Sequence, residues 1–386
     1  MKSFPVLTLL EGRERSLNLR HPWLFSGAVK KVEPCQEGDI VEIHTADGKR
    51  VGYGFFSMRS QIRVKIFSFS REEIEINEDF WFAKFQSAWN LRQTLLDSTQ
   101  TNGFRFIHAE GDFMPGIVAD CYNSVCSVQL RTQGTLAMAQ ILCDFLTQKT
   151  HIKHVYLKAE DRQYSKWLVG ECGEEVFMEN GVKFLVNVES GQKTGFFLDQ
   201  RNNRQLVGHH AKGRSVLNAF SYTGGFSAYA ALGGAKDVTS LDISASATAM
   251  CQRNIELNLP DYHDHSILTT DCFKYLKDME QGRFDMVILD PPAFSKSNAT
   301  VQNAARGYKE INMKALIRIA PNGLLFTYSC SQHVSRELFQ KIVFGAAADA
   351  HRNVRILAHL SQGEDHPIDI CHPEGDYLKG LMLWVE

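Results

Sequence analysis

Cys330 closes an apolar run. Gly323-Leu324-Leu325-Phe326 reads as a buried strand, and the chain passes through Thr327-Tyr328-Ser329 to a thiol followed by Ser331 and Gln332. Upstream, Asp290-Pro291-Pro292-Ala293-Phe294 follows another apolar strand, and its two prolines fix an extended exit that keeps a helix from starting. This exit holds one carboxylate and one ring where the strand opens. Asp290 suits the polar edge of a flat heterocycle, Phe294 suits its face, and Pro291 and Pro292 frame the base between them. A thiol attacks such a ring only as thiolate, so the surroundings of Cys330 must raise that fraction. The competing expectation is an inert buried cysteine. The nine cysteines are odd in number and lack any C-x-x-C pair, which argues against a disulfide framework or zinc module and suits reduced thiols.

The elements that position these residues begin at Gly213, where strands and helices alternate. Strands are predicted over 215–220, 237–242, 266–271, 284–290 and 323–329, with helices between them, for instance over 244–258. Such alternation gives an α/β fold, a parallel sheet covered by helices with ligands at the strand C-termini. Two last strands, 353–360 and 377–385, form an antiparallel end. Strands four and five are neighbours in this arrangement, so Cys330 should emerge beside Asp290.

The first strand end carries Asn218, Phe220, Tyr222, Thr223 and Gly224, the second Asp242, the third Asp271 and Cys272. Asp242 suits the two hydroxyls of a ribose. A dinucleotide loop wants G-x-G-x-x-G, but Phe220 and Tyr222 stand at the first two glycine positions and leave little room for a pyrophosphate. A nucleoside with a compact cationic tail fits better, which points to S-adenosylmethionine as cofactor. Each aspartate taken alone reads equally well as a helix cap or turn residue; together they read as a site. With a methyl donor, the thiol acquires a specific use. C5 of cytosine is a poor nucleophile until a thiolate adds at C6, and hydrogen bonding at N3 by Asp290 would help that addition.

Residues 1–71 read as short strands and turns, a small β-barrel, in which Ile62, Val64 and Ile66 alternate with Arg63 and Lys65. They carry twelve Lys/Arg against seven Asp/Glu although the whole chain has a formal net charge of −2, the balance of a basic RNA-binding module on an acidic body. His21, Trp23, Arg59, Arg63 and Lys65 are its candidate RNA contacts, with Trp23 reading equally as core. Residues 72–180 form a central α+β domain: a helix over about 77–98, two hairpin strands (104–120 and 124–130), a helix near 136–149 and a strand at 154–158. Residues 181–386 complete the chain as the catalytic domain. No run of eighteen apolar residues suggests a membrane span, and the cytoplasm is expected. His209-His210 and His263-x-His265 lack further ligands at metal spacing, so no metal is expected.

These motifs resemble the bacterial large-subunit (23S) ribosomal RNA cytosine-5 methyltransferases of the RlmI type over nearly the whole chain. The resemblance rests on R-H-P-W-L-F-S-G-A from Arg20, S-Q-I-R-V-K from Ser60 and G-Q-K-T-G-F-F-L-D-Q-R-N-N-R from Gly191. It continues through L-N-A-F-S-Y-T-G-G-F, L-D-P-P-A-F, R-G-Y-K-E-I-N-M, Y-S-C-S and H-P-x(5)-P-E-G-x-Y-L-K-G. It implies an N-terminal PUA domain, a central α+β domain and a class I (Rossmann-like) methyltransferase. Cys330 is then the nucleophile, the Asn218–Gly224, Asp242, Asp271 and Asp290 segments line cofactor and base, and Asp199, Gln200 and Arg201 contact the cofactor. The arginines of that last segment also read as partners of the sheet or of RNA phosphate. Two departures stand out. Ala293 replaces a lysine common in the family, and it cannot supply the second cysteine that some other RNA cytosine-5 methyltransferases use for product release. The base for C5 deprotonation therefore has no candidate. The implied partner is ribosomal RNA, and a homodimer is compatible with the sequence. Two other functions compete: methylation of a base nitrogen, since D-P-P-A-F is similar to the loop used around exocyclic amines, and a non-catalytic RNA-binding assembly factor.

Overall fold

The computed structural model describes residues 3–295 and 298–386. The chain forms two compact units, and neither is continuous in sequence. One runs to Phe177 and adds Val186–Leu198 and Glu364–Gly375; the other comprises Met178–Leu185, Asp199–Gly363 and Asp376–Glu386.

The first unit opens with six strands in one mixed sheet, Val6–Leu9, Trp23–Phe25, Val29–Val32, Ile40–His44, Arg50–Phe56 and Ile62–Ser68. The alternation predicted at Ile62–Ile66 holds, with Val64 and Ile66 buried against Leu7, Leu24, Val41 and Ile43. A helix, Glu78–Leu95, starts where the Asn77 side chain accepts the Phe80 N–H at 3.0 Å. Trp81, Phe85 and Trp89 of this helix join Phe104, Phe106 and Phe145 in an aromatic core beside a five-stranded sheet. The sheet corrects one expectation. Residues 104–120 are not one hairpin arm but two strands, Gly103–His108 and Ile117–Tyr122, paired antiparallel around a 3-10 turn. Ala109 and Phe113 at that turn take φ of 45° and 57°, and Gly116 takes 84°, so the chain reverses there.

The second unit is built on seven strands: β1 (Ser215–Ala219), β2 (Asp237–Asp242), β3 (His265–Thr269), β4 (Met286–Leu289), β5 (Gly323–Ser329), β6 (Val354–Leu360) and β7 (Lys379–Val385). Their order is β3-β2-β1-β4-β5-β7-β6, parallel from β3 to β5 and antiparallel for β5-β7-β6; the adjacency of β4 and β5 and the antiparallel end agree with the sequence reading. Among the described residues six α-helices accompany them: α1 (Arg201–His210), α2 (Gly225–Leu232), α3 (Ala245–Asn258), α4 (Cys272–Asp278), α5 (Val301–Arg318) and α6 (Arg336–Asp349). Adjacent strand residues face opposite layers. Leu217, Leu289 and Leu325 pack with α4, α5 and α6, whereas Val216, Ile288 and Phe326 pack with α1 and α2. Both faces are thus covered, which is why these strands read as unbroken apolar runs. The strand order reverses between β1 and β4, opening a crevice at their C-terminal ends.

Candidate active site at the strand C-termini

The β1–α2 loop turns through left-handed backbone at the positions where a dinucleotide loop would place glycines. Phe220, Tyr222 and Gly224 have φ of 61°, 47° and 81°. For the two aromatic residues this costs of order 1–3 kcal/mol each, so the surroundings must hold the loop. They do so through the backbone: Tyr222 N–H donates to Asp242 Oδ2 at 2.9 Å, Ser221 N–H to the Leu241 carbonyl at 2.8 Å, and Phe220 N–H to Cys272 Sγ at 3.3 Å. Asp242 Oδ1 accepts a second N–H, from Ser244 at 2.9 Å. Gly224 is required by space as well as by φ, because a Cβ there would lie 2.3 Å from Cys251 Sγ.

Beneath the loop runs a buried polar chain. Asn218 Nδ2 donates to Ser227 Oγ at 2.8 Å, Ser227 Oγ meets Ser240 Oγ at 2.6 Å, and Ser240 Oγ meets His265 Nε2 at 2.9 Å. It links β1, α2, β2 and β3. Burial pulls His265 down to about 4, so the ring is neutral at pH 7. Asn218 Oδ1, Ser221 Oγ and Thr223 Oγ1 are buried without hydrogen-bond partners among the described residues. Buried polar atoms are normally satisfied, so three such oxygens in one turn fit a polar ligand, as a cofactor loop requires. At the third strand end Asp271 is exposed and caps α4, accepting the Lys274 N–H at 2.8 Å. Cys272 beside it is a packed thiol that burial pushes up to about 12.

Strands β4 and β5 bring the predicted reactive pair together. Leu289 pairs with Thr327, so Asp290 comes level with Tyr328, two residues before Cys330. Asp290 is half-buried, Pro291 buried and Pro292 exposed. The Phe294 ring packs 4.6 Å from Tyr308 and 5.9 Å from Phe273, and a Cβ on Gly307 would approach it to 3.1 Å. Phe294 is therefore anchored on α5 as well as facing outward. Cys330 is half-buried between the fully buried Ser329 and Ser331. Ser331 ties the two exits together: its Oγ accepts the Ser295 N–H at 3.3 Å and lies 2.8 Å from the Tyr308 hydroxyl, and its carbonyl accepts from Lys379 Nζ at 2.8 Å.

Asp199, Gln200 and Arg201 are almost fully buried at the start of α1. Asp199 Oδ2 accepts the Tyr377 hydroxyl at 2.7 Å, and Gln200 Oε1 accepts from Asn203 at 2.6 Å. Of the arginines in this segment, Arg204 pairs with Glu179 at 2.5 and 2.7 Å, so it serves the fold.

Within the first unit, the RNA candidates separate. Trp23 Nε1 and Lys65 Nζ both donate to Glu110 at 2.8 Å, and His21 and Trp23 pack edge-on against His372 at 5.6 and 4.5 Å. Arg63 donates to the Ser57 and Met58 carbonyls. Arg59 is exposed and lines a cleft of about 1050 Å³ with Lys65, Phe55 and Arg131.

Residues 7–69 match the family described as PUA-like domain, and residues 127–355 match that described as S-adenosylmethionine-dependent methyltransferase. The ribosomal RNA large subunit methyltransferase I of Aeromonas salmonicida is 41% identical over 388 residues, covering 97% of this chain and 98% of its own. That of Vibrio parahaemolyticus is 42% identical over 396 residues, covering 98% and 99%. The chain belongs to this family. As a member of the ribosomal RNA large subunit methyltransferase I family it is an S-adenosylmethionine-dependent methyltransferase with a PUA-like N-terminal domain. Among solved structures, a SAM-dependent methyltransferase from Streptococcus mutans superposes with a TM-score of 0.85 at 22% identity, covering 98% of this chain and 99% of that one. A methyltransferase complexed with SAH gives 0.86 at 22% identity over the same shares. At that identity the likeness is one of fold. Among the described residues no helix is long and apolar enough to cross a membrane.

Three residues passed over in the sequence stand beside the strand ends of this family member. Ile243, following Asp242, is 73% exposed. Tyr308 and Lys379 reach Ser331 from α5 and β7. An exposed isoleucine after a strand-end aspartate was a readable signal for Ile243. Tyr308 and Lys379 lie inside quoted motifs, but only strand pairing and packing bring them to Cys330.

Proposed function

We propose that the protein forms 5-methylcytosine in large-subunit (23S) ribosomal RNA, with Cys330 as nucleophile. The observation that carries this is the juxtaposition of Cys330 with Asp290 at the ends of paired strands. S-adenosylmethionine supplies the methyl group when bound. Cys330 Sγ, as thiolate, adds to C6 of an unstacked cytosine, and the ring electrons move to C5, where the methyl group is accepted. Asp290 hydrogen-bonds the N3 edge and favours that addition, and Pro291, Pro292 and Phe294 hold the ring. Loss of the C5 proton then returns the electron pair, the S–C6 bond breaks, and the thiolate is regenerated. On the cofactor side, each Asp242 oxygen accepts one N–H and keeps a lone pair for a ribose hydroxyl. Ile243 offers an apolar surface to the adenine, Asp271 its edge, and the 218–224 loop holds the amino-acid end. Asp199, Gln200 and Arg201 shape the cofactor pocket wall from α1. The PUA-like part docks structured RNA, with Arg59 and the cleft beside it as the phosphate contact and His21, Trp23, Arg63 and Lys65 as its supporting frame.

Methyl transfer to large-subunit RNA followed by nucleoside mass analysis tests this directly. The expected product is 5-methylcytosine, and Cys330→Ala should abolish it while S-adenosylhomocysteine binding stays within about threefold of wild type, a difference below 1 kcal/mol. An N-methylated base, or full activity of the alanine variant, sinks the mechanism.

A further inference from the structure

Lys379 pairs across strands with Ser329, the residue before Cys330, and its Nζ donates to the carbonyl of Ser331, the residue after it, at 2.8 Å. Strand register thus places Lys379 beside the nucleophile, and its ammonium is held on the carbonyl of the residue that follows it. It is also 2% exposed. Burying an alkylammonium is unfavourable unless negative charge or several acceptors compensate it, and one carbonyl serves only one of its three N–H donors. The nearby carboxylate of Asp376 is engaged by Arg336, whose Nη2 reaches its two oxygens at 2.9 and 3.1 Å. Burial pulls Lys379 down to about 8, with Asp376 and Cys330 favouring the charged form and Arg336 opposing it. Cys330, next to the residue paired with Lys379, is thus placed to act as a negative partner of this cation.

We propose that the Lys379 ammonium is the counter-charge that holds Cys330 as its thiolate, so that Lys379 is a positioning residue acting through the nucleophile. This rests on Cys330 being the nucleophile of the proposed reaction. In forming the thiolate the S–H bond breaks, the proton passes to solvent and the electron pair stays on sulfur. When sulfur adds to C6 its charge moves into the ring, leaving Lys379 without its partner. The same field then favours departure of the thiolate at the end of the cycle. Among neighbouring titratable groups, Tyr308 stays neutral because burial pushes its hydroxyl up, and Arg336 is engaged by Asp376. Asp376 is fixed on Arg336, and Asp290 lies on the neighbouring strand end.

Iodoacetamide labelling of the full-length protein, resolved at the Cys330 peptide by mass spectrometry, gives the thiolate fraction against pH without RNA or cofactor. The wild-type midpoint should fall below the ordinary thiol value of about 8.5. Lys379→Met should slow labelling at pH 7 by about tenfold, one pH unit of midpoint, and Lys379→Arg should recover most of the rate. Calorimetric binding of S-adenosylhomocysteine establishes that the methionine variant is folded. An unchanged midpoint in the folded variant overturns the proposal. If that variant does not bind, the wild-type midpoint decides alone, and a value at or above about 8.5 overturns it. Persistence of 5-methylcytosine formation in Cys330→Ala would instead sink the nucleophile assignment and leave the labelling profile of the wild type as it was, so the two failures are told apart.

Discussion

Gly224 shows how tightly single positions in the cofactor loop are determined. Two independent demands meet there: a φ of 81° and a Cys251 sulfur 2.3 Å from where a Cβ would stand. Gly224→Ala should lower stability by about 2 kcal/mol, combining left-handed strain with overpacking, and weaken S-adenosylhomocysteine binding. Urea unfolding and calorimetry read the two effects. Adding Cys251→Ala should relieve the steric part and leave the φ cost, so the double variant should bind better than Gly224→Ala alone. Phe220 and Tyr222 bear the same left-handed conformation without the glycine, which means that their side chains are kept at a standing local cost. The partners that hold them, Asp242 on β2 and Cys272 on α4, belong to other elements. For that reason the loop is a property of the assembled sheet, and no isolated peptide of this sequence would keep it.

Between the elements, the Asn218–Ser227–Ser240–His265 chain makes cofactor-loop support dependent on pH. His265 has a folded value near 4, below its ordinary 6.5, so the unfolded chain takes up a proton first as pH falls. Stability contributed by the neutral ring is therefore full above about 6.5 and is lost between about 6.5 and 4, at no more than about 1.4 kcal/mol per pH unit. Urea midpoints at pH 7 and pH 5 should differ in the wild type, and His265→Gln should flatten that part of the slope. The sequence made β4, β5 and β7 legible because strands covered on both faces are continuous apolar runs, and the helix at Glu78–Leu95 because Trp81, Phe85 and Ala88 share a face. It hid two kinds of feature. The hairpin Glu175–Glu179 with Val182–Val186 turns on Asn180-Gly181, at φ of 49° and 79°, a turn signal that was present but unread. Lys379 was not readable at all, since its burial follows from register with Ser329, fifty residues away in sequence.

At the scale of the molecule, each unit is assembled from separated stretches of chain. The Glu364–Gly375 segment is bound into the first unit by a buried ion cluster. Arg92 donates to Asp112 at 2.5 and 2.8 Å and to the Asp365 carbonyl at 2.7 Å, while the Asp365 side chain accepts the Arg105 N–H at 2.9 Å. Removing one partner of such a pair strands a buried charge, so Asp112→Asn should destabilise by about 3–5 kcal/mol in urea unfolding. An aspartate-to-glutamate change should cost less, because the charge stays. The same arrangement orders events during synthesis. When the ribosome has released the first 177 residues, Arg92 still lacks one of its acceptors, the Asp365 carbonyl, which is added nearly two hundred residues later. The unit that carries the PUA-like domain is therefore completed only once residues 364–375 have been translated. A chain stopped before residue 364 therefore carries an incomplete PUA-like unit in which the Arg92 cluster stays open.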